Sequence, residues 1–98
     1  MWTAQQILDT LGNYRHELKA MGVRKIGLFG SYRRDMPSPD SDMDFLVTLE
    51  RPSFDNYMAV KLFLEDYFGC RVDLVIEDSI KPRLRSRILG EVVYVTGL

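Results

Sequence analysis

Three aspartates stand where a folded core would not normally place them. Asp42 and Asp44 flank Met43 at the head of a stretch that then turns apolar, Phe45-Leu46-Val47. Positions i and i+2 of a strand share a face, about 6.5–7 Å apart along it. Two carboxylates so placed repel each other, and one holds a proton unless a cation sits between them. Asp73 interrupts the run Val72-Asp73-Leu74-Val75-Ile76, where a lone carboxylate is expensive if buried and unpaired. If the two strands are neighbours, all three aspartates can meet on one face. Such a set of hard oxygen donors suits Mg²⁺ or Mn²⁺, which complete their coordination with water and substrate phosphates.

Gly30-Ser31 lies just upstream, at the end of another apolar stretch. A glycine there lets backbone N–H groups approach a phosphate, and a helix beginning at the serine adds favourable partial charge. The serine hydroxyl can bond a phosphate oxygen, and Arg33 and Arg34 can add charge-assisted contacts. We place Arg34 and Ser41 with Gly30 and Ser31 as candidate nucleotide-binding residues. A phosphate cradle beside a carboxylate metal site is what nucleotidyl transfer requires, with catalysis supplied mostly by positioning and electrostatics. Each feature alone has a plainer reading: a wet strand start for Asp42 and Asp44, a polar sheet face for Asp73, a turn and helix cap for Gly30-Ser31. Their combination carries the inference.

The elements that must position these residues follow from periodicity. Thr3 to Ala20 is expected as one helix, with Ile7, Leu8, Leu11, Tyr14 and Leu18 at helical spacing, Thr3 as N-cap and Gly22 as stop. Val23 to Phe29 is expected as a strand, followed by one helical turn from Ser31 and a loop around Pro37 and Pro39. Met43 to Leu49 is a second strand, Phe54 to Phe68 a helix ended by Gly69, and Arg71 to Ile76 a third strand. Ser79 to Leu89 is expected as a helix capped by Asp78 or Ser79, with Pro82 in its first turn and Gly90 as stop. Val92 to Thr96 closes the chain as a strand. The order predicts an α/β (α+β) fold, a small sheet with helices packed on it. The link between the first two strands is too short for a crossover helix, so that pair is expected antiparallel and the sheet mixed.

Composition narrows the classes. Thirteen basic against fourteen acidic residues give a net charge of -1, which argues against a nucleic-acid-binding surface, for which strongly basic domains are usual. One cysteine, Cys70, and one histidine, His16, exclude an internal disulfide and the usual Cys/His zinc sites. No basic-then-apolar start and no run of roughly 18 apolar residues is present. We therefore expect residues 1–98 to form a single cytoplasmic domain without membrane contact. Lys81, Arg83, Arg85 and Arg87 form the most basic stretch; Lys81 and Arg85 share a helical face, read first as solvated and second as a contact for triphosphate, RNA or an acidic partner. Phe63, Tyr67 and Phe68 make their helix apolar over much of its girth, which hints at a partner surface, and Trp2 hints the same.

The pattern Gly30-Ser31, ten residues, Asp42-Met43-Asp44, with Asp73 on a later strand, resembles the DNA polymerase β-type nucleotidyltransferase superfamily. The string GSYRRDMPSPDSDMDFLV and the closing stretch through Glu91-Val92-Val93-Tyr94-Val95 are most similar to its minimal nucleotidyltransferases, the MNT or MntA-like antitoxins. The resemblance covers about Val23 to Val95. It implies a palm-like mixed sheet, nucleotide phosphates held at Gly30 and Ser31, and a metal-binding catalytic triad of Asp42, Asp44 and Asp73. It also implies Mg²⁺ (or Mn²⁺), ATP as substrate, and a HEPN-domain toxin as partner, silenced by transfer of AMP to a tyrosine. The alternatives are neutralisation of the partner by binding alone, and transfer to a small-molecule acceptor. Many members carry Ala-Arg-Gly where this chain has Arg33-Arg34-Asp35; the arginine is kept and the glycine is not.

Overall fold

The computed structural model describes residues 1–98. Helices α1 (Ala4–Asn13) and α2 (Arg15–Ala20) lead into strand β1 (Val23–Phe29), the short helix α3 (Gly30–Arg33) and strand β2 (Met43–Leu49). Helix α4 (Phe54–Phe68), strand β3 (Val72–Ile76), helix α5 (Pro82–Glu91) and strand β4 (Val93–Tyr94) complete the chain. The four strands form one mixed sheet in the order β3-β2-β1-β4. β1 runs antiparallel to β2 and β4, while β2 and β3 are parallel. The long helix α4 supplies the crossover that a parallel pair demands.

Alternation along the strands divides the sheet into two faces. Ile26 and Leu28 of β1 share one face with their β2 partners Val47 and Phe45, joined there by Val72 and Leu74 of β3. Ile7, Leu11, Leu18, Val60 and Leu64 from the helices close over this face and are essentially inaccessible to solvent. An irregularity between Val23 and Lys25 returns Val23 to the same side. The other face is thin. Phe29 and Leu46 join Ile80 and Ile88 in a separate small cluster beneath α5, edged by the partly buried Val75, Leu84 and Val92.

The predicted continuous helix from Thr3 to Ala20 is corrected to two. Thr3 does cap α1, in a reciprocal capping box with Gln6. The path breaks at Tyr14, two residues after Gly12, a poor helix former. The break lets the Tyr14 ring pack edge-on against Phe63 and Tyr67, with centroids 5.5 and 5.1 Å away. That contact draws on the aromatic side of α4, where Tyr67 itself stays exposed. Much of the aromatic girth of α4 is spent internally, and Trp2 is tied down through its indole N–H to the Phe68 carbonyl at 3.1 Å. Helix α5 also differs from expectation. Glu77–Ser79 form a 3₁₀ turn, Lys81 takes the cap position, and Gly90 lies inside the helix. Glu91 extends α5 because its own groups are held by the segment after β1, as described below. No helix is long and apolar enough to cross a membrane.

Candidate active site

The parallel pairing of β2 with β3 sets Asp44 directly beside Asp73. The antiparallel pairing sets Asp44 opposite Phe29, the residue before Gly30. Two independent registers thus bring the carboxylates and the glycine-serine turn to one end of the thin face. Gly30, Ser31, Arg34, Ser41, Asp42, Asp44 and Asp73 all line one cavity of about 740 Å³, roofed by Lys81, Leu84, Arg87 and Ile88. The residues placed from the sequence in the catalytic and nucleotide-binding sets lie around the same space; Arg33, offered beside Arg34 for phosphate contact, does not line it and donates instead to the Glu91 carbonyl.

Gly30 is required by its surroundings. Its φ is +78°, a conformation costly for any residue with a Cβ, and a Cβ there would overlap Oδ2 of Asp44. The close approach aims Gly30 and the start of α3 at the carboxylates. Asp35 shows how the chain manages without the glycine common at that position: it takes φ 55° itself, and its Oδ1 accepts the Ala4 N–H at 2.7 Å. Aspartate is among the few side chains that tolerate this region, and here it also anchors α1. Ser41 closes the loop between α3 and β2, its Oγ accepting the Ser38 N–H at 2.9 Å.

The electrostatics at this end are strained. Burial and the negative charges of Asp73 and Asp42 push the Asp44 carboxyl up to about 6. Asp42 turns outward to Arg71, with Nε 3.2 Å from Oδ1, and Asp73 is exposed. The three carboxylates are not drawn into a closed ligand cage; Asp44 and Asp73 are the pair that the strand register sets side by side. The donor set nevertheless fits a hard divalent cation. All its atoms are carboxylate oxygens, and the repulsion that raises Asp44 is what such a cation relieves.

Two features were not assigned from the sequence. Arg87, rather than Arg85, joins Lys81 on the cavity wall. Arg85 instead reaches Glu77, donating to its carbonyl at 3.3 Å, so the predicted Lys81–Arg85 face is not a shared one. Glu91 accepts the Gly30 N–H through Oε2 at 3.0 Å and pairs with Arg34 through Oε1. Its backbone carbonyl accepts from Nε of Arg33 at 2.9 Å. These contacts hold its carboxyl below the usual range despite burial. The spacing of 81, 84, 87–88 and 91 along one helical face was the available signal.

Comparison with known proteins agrees with this arrangement. The model of the nucleotidyltransferase domain matches residues 11–95. A protein adenylyltransferase, MntA, of Thermococcus cleftensis is 42% identical over 97 residues, spanning 97% of this chain and 98% of that protein. A solved structure provisionally described as a minimal nucleotidyltransferase is 35% identical, with a TM-score of 0.70 over 88% of this chain and 93% of its own. Two toxin-antitoxin structures share the fold. One, with AMP-PNP, has a TM-score of 0.69 at 22% identity over 89% and 73% of the two chains. The other holds a tri-AMPylated Shewanella oneidensis HEPN toxin in complex with an MNT antitoxin, with a TM-score of 0.65 at 20% identity over 93% and 73%. The chain thus belongs to the nucleotidyltransferase domain family, as a minimal nucleotidyltransferase of the protein adenylyltransferase kind.

Proposed function

We propose that this enzyme is the antitoxin of a toxin-antitoxin pair and transfers AMP from ATP to a tyrosine hydroxyl of a HEPN-domain toxin. The observation that carries the reading is the side-by-side register of Asp44 and Asp73 next to Gly30-Ser31. The names of the similar proteins support the donor, the partner and the direction of transfer.

In this reading the Gly30-Ser31 turn and Arg34 hold the nucleotide phosphates, with Ser41 beside them. Lys81 and Arg87 face the polyphosphate from the opposite wall. Asp42, Asp44 and Asp73 supply the oxygens for Mg²⁺ or Mn²⁺, which when bound neutralises charge on the phosphates. The tyrosine oxygen attacks the α-phosphorus. The new P–O bond forms as the bond to the α–β bridging oxygen breaks, and pyrophosphate leaves. Asp73, the most exposed of the three carboxylates, accepts the tyrosine proton in this reading. The partner brings the acceptor hydroxyl to the open end of this cavity.

The test is intact-mass analysis of the HEPN partner after incubation with this protein, ATP and Mg²⁺. A gain of one or more AMP units on a partner tyrosine, absent with Asp73→Ala, is expected. Neutralisation of the partner with no gain in mass would replace transfer with binding alone.

A further inference from the structure

Glu91 is the only acidic residue of α5, and the transfer chemistry gives it no task. Yet it reaches the centre of the site. Its carboxylate takes the Gly30 N–H at 3.0 Å and pairs with the Arg34 guanidinium. Those are two of the donors that the proposed function assigns to nucleotide phosphates. A carboxylate gripped by a backbone N–H and a guanidinium reproduces how a phosphate oxygen is gripped. Glu91 also lines the cavity that holds Asp42, Asp44 and Asp73, so it adds a fourth carboxylate where a polyanion must enter. The backbone carbonyl of Glu91 is held separately, by Arg33 at 2.9 Å. The side chain can therefore leave its donors while α5 stays docked.

We infer that Glu91 is an internal competitor of the nucleotide. In the free enzyme its carboxylate occupies the Gly30 N–H and Arg34. A phosphate of the incoming nucleotide takes both donors over, and the exchange sets nucleotide affinity. The inference rests on the reading of this cavity as a nucleoside triphosphate site.

Two consequences separate this role from that of a simple clasp. Removing the charge of Glu91 while keeping its shape frees Arg34 and lowers repulsion, so nucleotide binding tightens. A clasp would loosen the turn, and binding would weaken. The gain also depends on Arg34, the donor being contested, so the two substitutions are coupled.

The experiment is calorimetric titration of the full chain with AMP-PNP in the presence of Mg²⁺. Glu91→Gln is expected to bind about tenfold more tightly than the wild type, and the gain should vanish when both proteins carry Arg34→Gln. Glu91→Asp draws the carboxylate back by one methylene and should tighten binding in the same direction by a smaller factor. Unchanged or weaker binding in whichever variant folds, with the wild type binding normally, overturns the inference. Failure of the wild type itself to bind AMP-PNP would instead remove the triphosphate site on which the inference stands.

Discussion

One face of the sheet carries Ile26, Leu28, Phe45, Val47 and Leu74 beneath α1, α2 and α4, all fully or nearly fully buried. The opposite face carries Phe29 and Leu46 under α5, and then Asp44 and Asp73 at its open end. The first face satisfies every demand of packing. The second breaks them, with like charges in register and a small apolar cluster to hold its helix. In a domain of 98 residues, whose total stability is expected to be about 5–15 kcal/mol, such a concession is possible only because the other face supplies the surplus. Stability and chemistry are thus divided between the two sides of the same strands, one residue apart in sequence.

The division can be broken most severely on the packed side. Leu64→Ala empties a fully buried position in the larger cluster and should cost about 3–5 kcal/mol in denaturant unfolding. Leu84→Ala, half-buried on the inner side of α5, should cost less than about 2 kcal/mol. Equal costs would mean that the thin face is as important to folding as the thick one. Gly30→Ala sharpens the contrast from the other side. It places a Cβ against Asp44 at a backbone angle that alanine resists. Stability should fall by about 1–3 kcal/mol, while AMP transfer falls about a hundredfold or more through misplacement of the carboxylate.

A smaller effect is expected from pH. The folded-state value of Asp44 is raised to about 6, above its unfolded value of about 3.9. Its ionised form therefore subtracts stability above pH about 6, and that loss is recovered as the pH falls toward 4. Glu77 and Glu91 are shifted the other way, by hydrogen bonds and cations that outweigh their burial. Their stabilising contributions hold above about pH 4.3 and disappear below it. In metal-free buffer, melting temperature measured from pH 7.5 to 5 should rise for the wild type relative to Asp44→Asn, closing a gap worth about 1–2 kcal/mol after allowance for partial exposure. A gap that stays constant across this range would remove Asp44 as the strained group.

Much of the scaffold is legible from period and punctuation. β1, β2 and α4 begin and end where alternation, helical spacing and Gly69 say they should. The antiparallel β1–β2 pair follows from a link too short to cross over. The three aspartates and Gly30-Ser31 stand out because each violates the pattern around it. What local sequence does not carry is register. That Asp44 meets Asp73, while Asp42 turns to Arg71, is decided by how three strands align. The break at Tyr14 depends on Phe63 and Tyr67, some fifty residues away. The end of α5 is set by Gly30, Arg33 and Arg34 rather than by Gly90, and no local pattern around Glu91 marks it as a site residue. Asp35, where the resemblance led to an expected glycine, takes a positive φ, a region glycine enters freely.

The central claim is that the open face serves the reaction at the expense of the fold. Asp44→Asn, followed side by side in thermal unfolding and in AMP transfer to the partner, tests it most directly. The isosteric amide removes the repulsion with Asp73 and Asp42, so the melting temperature should rise by about 4–8 °C while transfer falls by about a thousandfold or more. Transfer near the wild-type rate, or a lower melting temperature, would contradict the account.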